Sequence, residues 1–325
     1  MRVSVWLLLA GALILSGVVA LMVGTIDVRA ADVWRALRGD PAGDDTAIFV
    51  VRELRLPRVV LGALVGAALG VSGAALQGVL RNPLAEPYLL GVSGGAAVGA
   101  VIAVTLGAAA GLVPVAAFGG ALVAVATALF VAHATHGRGD ARVLVMAGVV
   151  VGAFANAAIM VLLSGADAST VRGALWWMMG SVANATWVQT GWLAIYALIG
   201  GAFLVMHGRT LDALALGEDS AAGLGVDVDR SARRVYLAAS LVAAATVAAA
   251  GLVGFVGLVV PHIARRLGAF THRAVLLASA LTGAFLVVLA DFVARNALPP
   301  ADLPLGAITA ILGVPFFLIT LRRLT

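Results

Sequence analysis

Residues 87–132 read PYLLGVSGGAAVGAVIAVTLGAAAGLVPVAAFGGALVAVATALFVA, 46 positions without a charge. A helix needs ~20 mostly apolar residues to cross the hydrocarbon of a bilayer. This run holds two crossings, predicted near 90–107 and 112–132. Similar charge-free runs lie on either side of it, at 59–80, 143–166, 173–208, 235–264, 274–290 and 303–321. With the opening run 3–24 they predict further helices near 3–24, 59–80, 143–163, 188–206, 235–252, 256–266, 274–294 and 305–321. The eighth of these ten is short and broken by Gly251, Gly254, Gly257 and Pro261. The pattern is that of an all-α polytopic membrane protein with about ten transmembrane helices in one domain over 1–325. The first run is longer than the roughly 7–15 apolar residues of a signal peptide, so it is read as a span.

Composition agrees. The chain is 62% hydrophobic and 11% charged, against about 25% charged for a soluble domain. Its mean hydropathy is +1.08. There is no Cys, which excludes disulfides, thiolate metal sites and a Cys nucleophile. All 21 Lys+Arg residues are Arg. Without Lys there is no Walker A loop, whose Lys reaches the nucleotide phosphates, and no Lys Schiff base. The net charge of +5 is not gathered on a soluble basic module. It marks arginines at membrane interfaces and not a nucleic-acid partner.

With the N-terminus inside, the cytoplasmic side holds Arg2, Arg81, Arg138, Arg142, Arg209, Arg230, Arg233, Arg234, Arg265, Arg266, Arg273, Arg322 and Arg323, 13 of the 21. The outside holds Arg29, Arg35, Arg38, Arg52, Arg55, Arg58, Arg172 and Arg295, the other 8. The bias has the sign of the positive-inside rule. Six of the outer arginines lie in the loop 25–58 with Asp27, Asp32, Asp40, Asp44, Asp45 and Glu53, which reads as an ordered external surface.

Small residues repeat every four positions: Gly62, Gly66, Gly70, Ala74 and Gly78, then Gly91, Gly95 and Gly99, then Gly148 and Gly152. In lipid, helices associate by close backbone approach, which such stripes permit. Ser72 and Gln77 on the first stripe are candidates for a pathway lining. Ion-coupled carriers keep ionisable groups at membrane depth; here the middles of the spans lack them. Asp291 and Arg295 sit at i,i+4 near a span end and can form a local ion pair. A transporter without an ion relay or an ATP site draws its power from a partner. A stand-alone secondary transporter or channel would show intramembrane charges or two half-chain repeats. An intramembrane enzyme would show converging catalytic groups.

Several motifs interrupt the apolar pattern: L-R-L-P-R at 54–58, S-G-A-A-L-Q at 72–77, R-N-P-L-A-E-P-Y-L-L-G-V-S at 81–93 and W-W-M-M-G at 176–180. L-G-E-D-S-A-A-G-L-G-V at 216–226, G-F-V-G-L-V-V-P-H at 254–262, A-D-F-V-A-R at 290–295 and L-P-L-G at 303–306 follow in order. In these motifs the chain resembles the membrane permease subunit of ABC importers for iron–siderophores, haem and vitamin B12 (cobalamin), over about 50–322.

The resemblance implies a ten-helix permease in the cytoplasmic (inner) membrane of a prokaryote. It implies a homodimer with the path between the copies, two cytoplasmic ATP-binding subunits carrying ATP and Mg, and an extracytoplasmic binding protein. The chain itself would be no enzyme and would bind no cofactor or metal. Within the cytoplasmic loop 207–234, the implied ATPase-coupling segment is Leu216, Gly217, Glu218, Asp219, Ser220, Ala221, Ala222, Gly223, Leu224 and Gly225. Arg55, Arg58 and Arg295 match outer arginines that meet acids of the binding protein. Asn82, beside Pro83, either lines a cytoplasmic constriction or caps a helix. His262, without a second His at ligand spacing, reads as structural. Trp176 and Trp177 read as interfacial aromatics, or as contacts to a flat ligand ring.

Overall fold

Lipid offers no hydrogen bonds, so each backbone N–H and C=O of a spanning segment must be satisfied inside the protein, and helices do this most simply. The computed structural model describes residues 1–39, 45–134 and 141–321, and among them there is no strand. Asp40, Asp44, Arg138, Arg322 and Arg323 lie outside the described residues, as do the side chains of Asp45 and Arg142. The helices are α1 (Val3–Met22), α2 (Ala30–Arg38), α3 (Asp45–Phe49), α4 (Leu56–Val79), α5 (Val92–Thr105), α6 (Val113–Ala134), α7 (Ala141–Ser164) and α8 (Ala168–Met178). They continue with α9 (Trp187–Met206), α10 (Gly208–Ala215), α11 (Glu218–Gly223), α12 (Val228–Ala250), α13 (Val256–Arg266), α14 (His272–Asn296) and α15 (Leu305–Leu321). A π-helical turn, Val50–Arg55, leads into α4.

Each of the ten expected spans has its helix: α1, α4, α5, α6, α7, α9, α12, α13, α14 and α15. Seven helices are long and apolar enough to cross a membrane outright, and Val92–Thr105 and Leu305–Leu318 are shorter apolar ones. The remaining one, α13, the eighth in chain order, has 11 residues. The structure adds α8, which the charge-free pattern does not separate from its neighbours. Its start is fixed by Asp167, whose carboxylate accepts the backbone N–H groups of Ser169 and Thr170. Those bonds and the two hydroxyls hold the carboxyl well below the usual carboxylate range.

The glycine stripes do what close packing requires. A Cβ at Gly66 would overlap the carbonyl oxygen of Gly283, and one at Gly70 that of Ser279, so α4 and α14 meet backbone to backbone. Gly73 abuts Gly257 of α13 in the same way. Gly95 meets Gly120, and Gly99 meets Ala116, which seats α5 on α6. Gly91 and Gly94 face Gly148 and Gly152, which seats α5 on α7.

Non-helical backbone inside the bundle is satisfied by other parts of the protein. After α12 the chain turns at Gly251 (φ 67°) and reaches α13 through Phe255 (φ 66°). The N–H of Val253 donates to the Tyr88 hydroxyl at 2.9 Å and that of Phe255 to the Glu86 carboxylate at 2.7 Å. Beside it, three segments share bonds: Ser181 N–H to Ala250 O (2.8 Å), Leu305 N–H to Gly180 O (3.0 Å) and Gly306 N–H to Met179 O (3.0 Å).

Candidate functional site

The sequence-predicted residues gather at the two ends of the bundle. At the end where α1 finishes, Arg55 is buried and donates to the carbonyls of Leu21 (2.7 Å), Met22 (3.0 Å) and Ile26. Arg295 donates to the carbonyl of Ala20. Arg58 holds Asp291 with Nε and Nη2 at 2.8–3.1 Å and Asp302 with Nη1 at 3.0 Å. The three arginines are thus brought together, but their guanidinium groups tie α1, α4 and α14 to one another. The local Asp291–Arg295 pair is corrected by this geometry: Asp291 is bonded to Arg58, 233 positions away, because the α4–α14 contact brings those two side chains together.

The opposite end carries the 207–234 loop. α10 lies against α4 and α14, and α11 projects beyond it between Gly217 (φ 108°) and Gly225 (φ 81°). Ala221 is fully buried and anchors α11, whereas Leu216, Glu218, Asp219, Ser220, Ala222 and Leu224 are exposed. Arg81, at the end of α4, pairs with Glu218. Asp212 on α10 accepts the backbone N–H (2.8 Å) and a ring nitrogen (2.7 Å) of His272, the first residue of α14. The 216–225 segment is therefore a small polar knob, bonded to Arg81 at the end of α4 and following α10, which is bonded to α14.

The proposed pathway residues have partners inside the protomer. Ser72 is fully buried and donates to Ala239 O of α12 at 2.7 Å. Gln77 is buried, accepts from Arg265 at 2.8 Å, and its amide faces the carbonyls of Ala85, Gly257 and Leu258 at 3.2–3.4 Å. Both are buried and bonded between α4, α12 and α13 within this chain. Asn82 is exposed, and its carbonyl oxygen accepts the Leu84 N–H at 2.9 Å, a turn that starts the 82–87 segment. A ring nitrogen of His262 lies 2.9 Å from Pro83 O. Among the described residues no cluster of His, Asp or Glu could hold a metal ion.

Trp176 and Trp177 line a cavity of about 990 Å³ between α6, α8, α9 and α12, with Phe118, Trp192 and Tyr196. One residue escaped the sequence reasoning. Asn156, midway along the apolar α7, is exposed and makes no hydrogen bond to any described residue. The signal was available: a lone amide in the charge-free run 143–166.

Comparison with known proteins places this geometry. The profile of the FecCD transport family matches residues 12–323. A cobalamin import system permease protein, BtuC, of Halobacterium salinarum is 44% identical over 282 residues, 86% of this chain and 74% of the relative. The vitamin B12 import system permease protein BtuC of Vibrio cholerae is 39% identical over 320 residues, 97% of this chain and 93% of the relative. Among solved structures, a metal-chelate type ABC transporter in an inward-facing conformation superposes with a TM-score of 0.86 at 28% identity, covering 97% of both chains.

Proposed function

The chain belongs to the FecCD transport family and is a multi-pass permease of the ABC importer class; from this we propose that it carries a bulky metal chelate inward by alternating access, as one of two identical membrane subunits. The cargo class is iron–siderophore, haem or corrinoid. A corrinoid stands first because relatives at 44% and 39% identity bear that name. The complex has two cytoplasmic ATPase subunits, which hold ATP and Mg, and an extracytoplasmic binding protein. It sits in the cytoplasmic membrane of a prokaryote.

The observation that carries the proposal is the α10–α11 knob. A protruding helix of small and acidic residues, pinned at Ala221 and linked through Arg81 to α4 and through Asp212 to α14, suits a lever worked from outside the bilayer. Force on α11 reaches the spanning helices through the Arg81–Glu218 ion pair, the Asp212–His272 hydrogen bonds and the glycine contacts. Asn156 supports placing the second copy, or the path between copies, on α7, because lipid cannot satisfy an exposed amide at that depth. The outer arginines would serve docking indirectly, by fixing the surface that the binding protein meets.

The test uses the complex in proteoliposomes with its ATPase and binding protein. Ser220→Trp and Leu224→Arg alter exposed positions of the knob and leave Ala221 in place. Ligand-stimulated ATP hydrolysis and uptake should fall together while the folded permease yield is unchanged. Unaltered stimulation in both variants would remove the coupling role.

A further inference from the structure

The helix α2 turns one face inward and, among the described residues, leaves another exposed. Asp32, Val33 and Ala36 are buried, with Val33 and Ala36 packed against Leu21, Val28 and Val51. Asp32 is bonded to Arg29 at 2.9 Å and to Arg35 at 3.3 Å, so the acid of this helix is turned to local arginines. At about 100° per residue, the outward residues divide into two edges. Ala30, Trp34 and Leu37 form an apolar edge; Ala31, Arg35 and Arg38 form a basic one beside it. Trp34 is 56% and Leu37 46% exposed, and the Arg38 guanidinium lies 4.5 Å from the Trp34 ring centre.

Two considerations decide what covers this face. The apolar edge follows an apolar span with an exposed face: α1 exposes Leu7, Leu8, Ile14, Leu15 and Val18, and the chain runs on through exposed Val23 and Ile26 into α2. The chemistry of the two edges also matches the bilayer boundary, where Trp sits at headgroup level and arginines meet phosphates. We propose that α2 is an interfacial helix, with Trp34 and Leu37 inserted into the outer leaflet and Arg35 and Arg38 on lipid phosphates. It would fix the tilt of α1 and hold the Arg55 carbonyl cradle at Leu21, Met22 and Ile26 at the membrane surface. This placement needs only α1 as a span and is independent of the cargo and of the ATPase partners.

The chain has no Cys, so single labels are unambiguous. W34C and L37C report the apolar edge, and A31C, also exposed, the adjoining basic one. Each variant carries a bimane label in phosphatidylcholine nanodiscs containing a lipid with a nitroxide high on its acyl chain. Quenching should be about twofold or more greater at 34 and 37 than at 31, as for a face buried ~5–10 Å into the headgroup boundary. Equal quenching at all three positions overturns the proposal. So does protection of positions 34 and 37 that appears only when a soluble binding protein is added, which would assign the face to that protein.

Discussion

Replacing Arg58 by Met should strongly destabilise the permease. The Asp291 side chain is only 7% exposed and that of Arg58 14%. Arg58 supplies every hydrogen bond that Asp291 accepts among the described residues. Its loss strands a buried carboxylate, which costs about 3–5 kcal/mol. Asp302, 40% exposed, loses one contact worth roughly 0–1 kcal/mol. Asp291→Leu should cost less than Arg58→Met, because Arg58 keeps Asp302. The double variant should recover most of the loss, since an apolar pair that fills the space of a buried ion pair is often neutral or better. Equilibrium unfolding in mixed micelles with added SDS, followed by circular dichroism, reads the four states of this cycle as free energies. The reasoning is refuted if Arg58→Met costs under about 1 kcal/mol, the level of an exposed pair, or if the double variant is worse than either single one.

Two further outcomes follow from contacts described above. Gly66→Leu should abolish the monodisperse folded species in size-exclusion chromatography, because even its Cβ overlaps Gly283 O, while Gly119→Leu, with no atom within 4 Å of its added Cβ, should elute normally. The Asp167 cap is fully ionised above its unfolded value of about 3.9 and, its folded value being lowered, is lost only as pH falls through that lower value; hydrogen exchange at Ser169 and Thr170 should therefore stay slow at mildly acidic pH and become fast at all pH in Asp167→Ala.

The spans were legible because a bilayer imposes a rule on contiguous sequence: about 20 residues without charge. Even α13 was located, from its glycines and Pro261. α8 was not, because Ser169, Thr170 and Arg172 make it polar at its start and its apolar end merges with the run that follows. Motif matching placed Arg55, Arg58 and Arg295 at the same end, but their partners were hidden. Spacing reveals an i,i+4 neighbour such as Asp291 and Arg295; it carries no information about residue 58 meeting residue 291. The partners of Ser72 and Gln77 were hidden for a related reason. A polar side chain on a small-residue stripe can face a path or a neighbouring carbonyl, and only the packing of α12 and α13 against α4 distinguishes the two. Asn156 shows the reverse, a polar group whose exposure makes it informative.

The glycine contacts have a mechanical side. Where two backbones touch, there is no side chain to change rotamer and absorb a slide, so the paired helices travel as one piece. Gly66 with Gly283 and Gly73 with Gly257 fuse α4, α13 and α14; Gly95 with Gly120 and Gly91 with Gly148 fuse α5, α6 and α7. These two groups, α4 with α13 and α14, and α5 with α6 and α7, are joined in sequence by residues 80–91. That strip contains Pro83 and Pro87 and is held to α13 and the α12–α13 turn by Glu86, by Tyr88 and by the contact of His262 with Pro83 O, with the Gln77 amide facing Ala85 O. Movement between the two groups would be taken up at this strip and at α12, which packs against both α4 and α6, so the Glu86 and Tyr88 bonds sit where the two groups would shear.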